Sequence, residues 1–546
     1  MSNTDQYQRE LDVIEEVKNK GPVGKFLGYA KISGPGWLQG AVTLGGGSLG
    51  GALFLGSTSG YGAMWIQPLA MICGIIMLSA IAYVTLSTGS RPFHSINRNL
   101  HPLLGWSWLI ATIMANIVWT MPQFALATGA IENNFLGGKK FNPILVTIPL
   151  LIMGLFINYL YQGGGKGAKI FDLIIKIMVA LIVLSFIAVV VALLSSGQLP
   201  VVKILGGYVP NPLALFKPSP TYDALIAESN FSEFWTAKIV DQQRDVTFAA
   251  FATAVGINMT FLLPYTLLKK RWGKKHRGLS ITDLSIGLFV PFFLATSCVV
   301  IASVSAFHGK APILEGDALA AAIEATTPMM PCNGAAVTSA DVQLSAMLEK
   351  RGAGALATTL EPFAGKRVSQ QIFGFGVLGM AVSTIIILML MNGLAFQEAF
   401  SKNNRLPHPV EGASSDKYLF FIGCAISGIA GCCFPLIWTA ESKAALAVPT
   451  SVIGGLLIPI AYFTFFLMMN SKKILGEHRP EGTARIIWNT LMIFATSIAT
   501  LGSIWVLVGK SGKDDWSGTV AQGGLVFLVV LFAVGTSSFF KKEREI

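Results

Sequence analysis

Charged side chains are scarce in this chain of 546 residues. Asp, Glu, Lys and Arg make up only 13% of it, roughly half the fraction expected of a soluble domain. Hydrophobic residues account for 53%, and the mean hydropathy is +0.60. This composition excludes an ordinary soluble domain and predicts a polytopic membrane protein. The formal charge of +11 does not predict a nucleic-acid partner, because the basic residues cluster in short loops between apolar runs.

Cysteine is also rare, and its placement excludes a disulfide framework or a CxxC metal site. Five of the six cysteines lie inside apolar runs, where a thiol packs as a small hydrophobic side chain. Only Cys332 lies in a loop. The first 20 residues are charged and lack an apolar core, so they are not a cleaved signal peptide.

Apolar runs of about 20 residues, the length that crosses a bilayer as a helix, recur along the chain. They predict about twelve spans, near residues 31–57, 62–87, 104–130, 142–162, 169–196, 245–269, 282–308, 369–399, 417–438, 445–470, 486–509 and 520–540. Lys and Arg concentrate in alternate short loops. This asymmetry predicts a multi-pass protein of the plasma or inner membrane with both termini in the cytoplasm. The lipid bilayer is therefore its first expected partner.

The first span is interrupted in its middle by Gly45-Gly46-Gly47-Ser48. Loosened backbone at membrane depth is tolerated only where protein or a water-filled cavity covers it. Broken helices of this kind form the substrate sites of many secondary transporters. The alternative explanation is close helix packing through the small-residue pattern Gly46-xxx-Gly50.

The sixth span also has a weak centre at residues 254–260. Gly256 lowers helix propensity, and Asn258 can hydrogen-bond to nearby backbone instead of supporting a helix. Spans 1 and 6 are equivalent if spans 1–5 and 6–10 form inverted repeats. Paired breaks at equivalent positions predict a substrate site near the middle of the membrane.

Several motifs, in consistent order over residues 25–510, resemble the Nramp (natural resistance-associated macrophage protein) family. They are Gly34-Pro35-Gly36 followed by the break and Gly60-Tyr61-Gly62, then Lys169-Ile170-Phe171-Asp172, then Gln397-Glu398 within residues 393–400, then Ile458-Pro459, and finally residues 470–479.

The resemblance implies an all-α membrane protein with the LeuT-type inverted-repeat (5+5) transporter fold, spans 1 and 6 broken, and alternating access. It also implies proton-coupled uptake of divalent metals such as manganese and iron. The domains expected are a cytoplasmic segment (1–30), a ten-span transport core (31–475) with repeats at 31–196 and 245–470, and two extra spans with a short cytoplasmic tail (486–546).

The metal ligands that the resemblance implies are missing. The family holds its metal with Asp-Pro-Gly-Asn in span 1, and here the Asp and Asn positions fall on Gly45 and Ser48. Its Met-Pro-His motif of span 6 falls on Ile257, Asn258 and Met259. Hard cations are held by several carboxylates and carbonyls at once. No Asp or Glu lies in the middle third of any predicted span, so we expect no metal site.

The family's proton pathway is missing as well. Its acidic residues in span 3 fall near Pro122 and Ala125, and a glutamine before the tenth-span proline falls on Leu457. The arginines of span 9 have no counterpart in residues 418–438. A proton relay needs titratable groups inside the membrane. The sequence therefore predicts no standard proton coupling.

These observations predict an Nramp-like carrier with an altered substrate, either a small polar or anionic solute or a hydrated cation. Ser48 and Asn258 are expected to orient the ligand, while the glycines permit backbone approach. The alternative is a non-transporting membrane sensor or scaffold. We expect no cofactor and no enzymatic activity. The sequence does not indicate whether the protein is a monomer or an oligomer. The predicted substrate-binding residues are Gly45, Gly46, Gly47, Ser48, Gly256, Ile257, Asn258, Met259 and Thr260.

Overall fold

The computed structural model describes residues 3–32, 34–163, 165–195, 197, 199–311, 314–331, 335–349, 361–401, 416–439, 442–512 and 514–545. Cys332 lies outside them. The described residues form helices and turns and contain no strand. The all-α prediction is therefore confirmed.

The helices of the first half alternate between long apolar elements and short connecting ones. In chain order they are α1 (Asn3–Val17), α2 (Pro22–Ala30), α3 (Pro35–Thr43), α4 (Gly46–Ser59), α5 (Ile66–Thr88), α6 (Pro92–Asn99), α7 (Pro102–Ala130), α8 (Ile144–Gly163), α9 (Gly165–Ser195), α10 (Val201–Gly206), α11 (Asp223–Glu228) and α12 (Ser232–Ala252).

The second half continues the same pattern. Its helices are α13 (Ile257–Lys269), α14 (Arg277–Leu284), α15 (Val290–Phe307), α16 (Gly316–Thr326), α17 (Ser339–Leu348), α18 (Glu361–Phe400), α19 (Lys417–Cys432), α20 (Phe434–Ile437), α21 (Ala447–Gly455), α22 (Ile458–Asn470), α23 (Lys472–Leu475), α24 (Gly482–Ser511) and α25 (Trp516–Arg544).

Ten helical segments of the described chain are long and apolar enough to cross a membrane, and the bent pair α3 and α4 makes an eleventh. Helix α19 lies where the ninth span is predicted, but its 16 residues leave it shorter than the others. Helix α12 begins at Ser232, well before the predicted start of span 6 at residue 245. The predicted spans therefore lie where the helices lie, but the residues at which they begin and end differ from the helix ends.

Among the described spans of the core, the first, sixth and tenth are interrupted. Helices α3 and α4 meet at an angle of 50°. Helix α12 ends at Ala252 and α13 begins at Ile257, so the predicted break in span 6 lies at residues 253–256. The sequence did not predict the third interruption, between α21 and α22 at residues 456–457. Pro459 explains it, because proline has no N–H to continue the helical hydrogen bonding from the preceding turn.

The Gly34-Pro35-Gly36 motif begins α3 at the end predicted to be cytoplasmic. The two carboxylate oxygens of Asp283 accept hydrogen bonds from the backbone N–H groups of Gly34 and Gly36, each at 2.6 Å. Helix N-termini leave such groups without intrahelical partners and favour a nearby negative charge. A Cβ atom at position 36 would lie 2.1 Å from the backbone oxygen of Asp283. Asp283 is therefore a structural cap on α3.

Replacing Asp283 by Ala should lower the thermal stability of the purified protein. Two N–H groups would lose their acceptor, and an unsatisfied buried polar group costs roughly 1–3 kcal/mol. The check is the apparent melting temperature in detergent. Asp317→Ala, which removes an exposed carboxylate from α16, is the matched control and should leave that temperature unchanged. Equal melting temperatures for both variants would refute the capping role.

The connection that leads from α9 into α12 and the connection between α15 and α18 are long, and they pack against each other outside the bundle, at the end opposite Asp283. Their apolar side chains form a separate cluster that includes Tyr222, Trp235 and Leu344. The Tyr222 hydroxyl donates to the carbonyl oxygen of Thr58, near the end of α4, at 3.0 Å. The second connection carries the helix α16. The connections therefore reach the outer end of the first broken span.

Asp341 joins the two connections. Its carboxylate accepts hydrogen bonds from the Trp235 indole N–H at 2.7 Å, from the backbone N–H and hydroxyl of Thr338 at 2.7 and 2.8 Å, and from the Ser229 hydroxyl. Burial raises the pKa of Asp341, but these hydrogen bonds outweigh burial and hold the pKa below its ordinary value. Asp341 therefore stays ionised at neutral pH as an acceptor for both segments.

Candidate functional site

At the first helix break, side chains form hydrogen bonds with backbone groups that lack a partner within the helix. Helix α3 ends at Thr43, and Gly45 has extended backbone (φ −107°, ψ −175°) before α4 begins. The N–H of Gly46 donates to Oε1 of Gln123 on α7 at 2.7 Å. The hydroxyl of Ser48 donates to the carbonyl oxygen of Thr43. The break is therefore an ordered structure and not a loosened stretch of helix.

The two predicted breaks face each other and are joined by hydrogen bonds. The hydroxyl of Thr43 donates to the carbonyl oxygen of Ala254. The hydroxyl of Ser48 lies 3.3 Å from the carbonyl oxygen of Thr253. Both carbonyls belong to the turn that separates α12 from α13. The structure thus brings together two segments that lie about 200 residues apart in the sequence.

Glycine is needed at the breaks because other elements pack directly against their backbone. A Cβ atom at Gly45 would lie 2.4 Å from Oγ1 of Thr384. One at Gly256 would lie 2.3 Å from the ring of Trp119. Any larger residue therefore requires the neighbouring side chain to move, which is costly in a close-packed interior.

A cavity of about 40 Å³ lies between the breaks, which is room for roughly three water molecules. Three buried polar atoms of its wall have no hydrogen-bond partner among the described residues: Oδ1 of Asn258, Nε1 of Trp119 and Oγ of Ser451. They supply both donors and acceptors. The residues that line the cavity are Val42, Thr43, Gly45, Gly47, Ser48, Trp119, Gln123, Ala252, Thr253, Gly256, Asn258, Met259, Thr384, Leu388 and Ser451.

A row of three buried asparagines supports Asn258. Its Nδ2 donates to Oδ1 of Asn116 at 2.9 Å, and Nδ2 of Asn116 donates to Oδ1 of Asn392 at 3.1 Å. All three side chains are fully buried. The row crosses from α13 through α7 to α18, so it fixes the orientation of the Asn258 amide at the cavity wall.

Six of the nine predicted site residues line the cavity: Gly45, Gly47, Ser48, Gly256, Asn258 and Met259. The other three do not. Gly46 is held by Gln123, Ile257 is fully buried, and the Thr260 hydroxyl accepts from the indole N–H of Trp108 at 2.9 Å. Binding by any of these residues stays a prediction.

Sequence reasoning missed several contributors to the wall, among them Trp119, Thr253 and Ser451. Trp119 and Ser451 lie on α7 and α21, where no break was expected. The pair Gly454-Gly455 shortly before Pro459 was the available signal for a third interruption near the site. Recognising it would have drawn attention to Ser451.

No carboxylate lies in the cavity wall that the structure describes. The buried carboxylates lie toward the span ends: Glu398 is 3.7 Å from Arg91 and 3.4 Å from His94, and Glu132 pairs with Lys443. Among the described residues, no group of three or more His, Cys, Asp or Glu side chains could hold a metal ion.

A bundle of apolar helices with a small polar cavity at two facing helix breaks is the architecture of a secondary transporter. The family model described as natural resistance-associated macrophage protein-like matches residues 36–508. The chain therefore belongs to the Nramp family of metal ion transporters, and the resemblance seen in the sequence is confirmed. It is an integral, multi-pass membrane protein.

Solved structures agree with this fold. Two crystal structures of the Eremococcus coleocola manganese transporter, one of a histidine-to-alanine mutant and one in complex with an aromatic bis-isothiourea substituted compound, match with a TM-score of 0.64. Each alignment covers 96% of this chain and 97% of the other, at 14% sequence identity. No curated protein matches the chain. The LeuT-type fold is confirmed.

Proposed function

We propose that this Nramp-family protein carries a small polar or anionic solute and does not bind a bare divalent metal. The observation that supports this is the neutral wall of the cavity. Burying even a monovalent ion costs on the order of 20 kcal/mol in the idealised limit, and the cost grows with the square of the charge. A divalent ion therefore needs several carboxylate or carbonyl ligands.

The neutral groups around the cavity suit a small solute with both hydrogen-bond donors and acceptors, or an anion. Helices α4 and α13 both begin at its edge, with Gly45 and Gly256 at their N-caps. Helix N-termini attract negative charge. Trp119 and Ser451 offer donors, and Asn258 offers an acceptor. In this proposal Ser48 and Asn258 orient the solute, and Gly45 to Gly47 let it approach the backbone.

A hydrated cation is the second candidate, because backbone carbonyls face the same cavity. The carbonyl oxygens of Thr43 and Ala254 already accept hydrogen bonds from hydroxyls. The cavity also holds only about three waters, fewer than a complete hydration shell. These two facts favour the polar or anionic solute. The cavity itself favours a carrier over a non-transporting sensor or scaffold.

Proton coupling of the family type is not part of this proposal. Helix α7 contains no Asp, Glu, His, Lys or Arg, and α19 contains no Arg or acidic residue. The solute then crosses the membrane either down its own gradient, by facilitated transport, or by coupling to the movement of another ion. The basic short loops support cytoplasmic termini, and a plasma or inner membrane location stays a prediction. No enzymatic activity is proposed.

Flux into proteoliposomes tests the proposal, with formate as the anionic probe, urea as the neutral probe and manganese as the metal, each with and without a pH gradient. We expect saturable uptake of formate or urea. Asn258→Leu should reduce it about tenfold, a loss of roughly 1.4 kcal/mol.

The matched control for Asn258→Leu is Asn489→Leu. In the wild type, Oδ1 of Asn489 accepts a hydrogen bond from Nδ2 of Asn470 at 2.8 Å, away from the cavity. This control should transport at the wild-type rate. Saturable manganese uptake that acidifies the lumen would refute the proposal.

A further inference from the structure

A second, larger cavity lies where the last helix meets the connection between α6 and α7. Its volume is about 730 Å³, and it shares no lining residue with the cavity at the helix breaks. In the predicted orientation it lies at the cytoplasmic surface. It is lined by Asn97, Arg98, Leu100, His101, Pro102, Ala533, Val534, Ser537, Ser538, Lys541, Lys542 and Glu545.

Positive charge dominates this cavity. Arg98, Lys541 and Lys542 face a single carboxylate, that of Glu545. Nζ of Lys542 lies 3.9 Å from Oε2 of Glu545. Arg98 and Lys541 have no ion-pair partner in the part of the chain that the structure describes. Two cationic side chains are thus available to an anion at the same site.

The cavity also has an apolar side that adjoins the lipid-facing surface of α25. Val534 and Leu100 line it. On the same helix Phe540 is 57% exposed and Val530 is 46% exposed, as expected of side chains that contact acyl chains. Ser538 closes the base, because its hydroxyl donates to the carbonyl oxygen of Leu100 at 2.8 Å. Basic and apolar side chains therefore line the same cavity.

We propose that this cavity binds the phosphate-bearing headgroup of an anionic phospholipid of the cytoplasmic leaflet. Basic pockets between spanning helices on the cytoplasmic side bind such headgroups. The volume lies within the range of pockets for small molecules, about 300–1,000 Å³. Free phosphate is also an anion but has no acyl chain to contact the apolar side chains of the lining. A bound lipid would join α25, one of the two spans beyond the ten-span core, to the start of α7.

Native mass spectrometry of the detergent-purified protein tests this proposal by comparing occupancy by phosphatidylglycerol and phosphatidylcholine at equal concentration. We expect the wild type to prefer phosphatidylglycerol. The double variant Arg98→Gln/Lys541→Gln should lose that preference about tenfold or more, since each cation near an anionic headgroup contributes appreciably. Ala533→Trp, which fills the cavity and leaves every charge in place, should lose it too.

The control is Lys274→Gln/Arg485→Gln, which removes two exposed cations from the same face of the protein outside the cavity. It should keep the wild-type preference. If both double variants lose the preference for phosphatidylglycerol equally, the lipid is attracted by the surface charge in general, and the proposed site is refuted. Displacement of the lipid by millimolar inorganic phosphate would refute the proposal that the cavity binds a lipid. Unchanged elution on gel filtration and unchanged phosphatidylcholine occupancy verify that each variant is folded.

Discussion

Replacing Gly256 by Val is expected to reduce solute uptake into proteoliposomes at least about tenfold, because overpacking at such a site costs roughly 1–3 kcal/mol. The new Cβ atom would lie 2.3 Å from the Trp119 ring and 2.8 Å from Oδ1 of Asn258. The two further methyl groups would occupy a cavity of only about 40 Å³. The measurement is the initial rate of formate or urea uptake.

Gly523→Val is the matched control. Gly523 also lies in a spanning helix, but a Cβ atom there meets no other atom within 4 Å. This variant should transport at the wild-type rate. If Gly256→Val is folded and transports as fast as the control, the cavity between the breaks is not on the transport path.

Replacing Ser48 by Asp is expected to create manganese binding that the wild type lacks. The carboxylate would lie in the first turn of α4, where the helix dipole favours it. It would also lie beside the carbonyl oxygens of Thr43 and Thr253, which can join it as ligands. One negative charge about 4 Å from a divalent ion gains roughly 8 kcal/mol at an effective dielectric constant of 20, before desolvation is subtracted. A tenfold gain in affinity needs only about 1.4 kcal/mol of that.

Ser48→Asn is the control, because it has nearly the same shape as Asp without the charge. Although it restores the asparagine of the family's motif, one neutral amide without the motif's acid should bind manganese at least about tenfold more weakly than Ser48→Asp, a difference of roughly 1.4 kcal/mol. Gly45→Asp, although it restores the acid of the family's motif, is a poorer variant because its Cβ atom would meet the Thr384 side chain at 2.4 Å. Manganese binding by Ser48→Asn equal to that of Ser48→Asp would show that charge is not what the site lacks.

The breaks in the first and sixth spans and the family could be predicted from sequence because both depend on local patterns. Three consecutive glycines in an apolar run predict an interruption, and the structure places one at Gly45. The Gly34-Pro35-Gly36 motif indicates the family. The structure explains why glycine is needed in it: the backbone of Gly36 lies in tight contact with Asp283. That contact joins residues about 250 positions apart, so no local pattern reveals it.

The cavity wall was harder to predict because it is assembled from five distant segments. Trp119 reads as an ordinary aromatic residue in an apolar run, and only the packing shows that its ring lies against Gly256. Ser451 reads as an ordinary small polar residue until the interruption after α21 is known. The length of α12 was underestimated because this helix extends beyond its apolar run into the long connection before it.

Isothermal titration of manganese into the wild-type protein, purified in detergent at neutral pH, tests most directly whether a wall of neutral groups can hold a bare divalent ion. We predict no saturable heat up to millimolar manganese, and an unchanged result when Ser48 is replaced by Ala. Binding of one manganese ion at micromolar concentration, abolished by Ser48→Ala, would contradict the account.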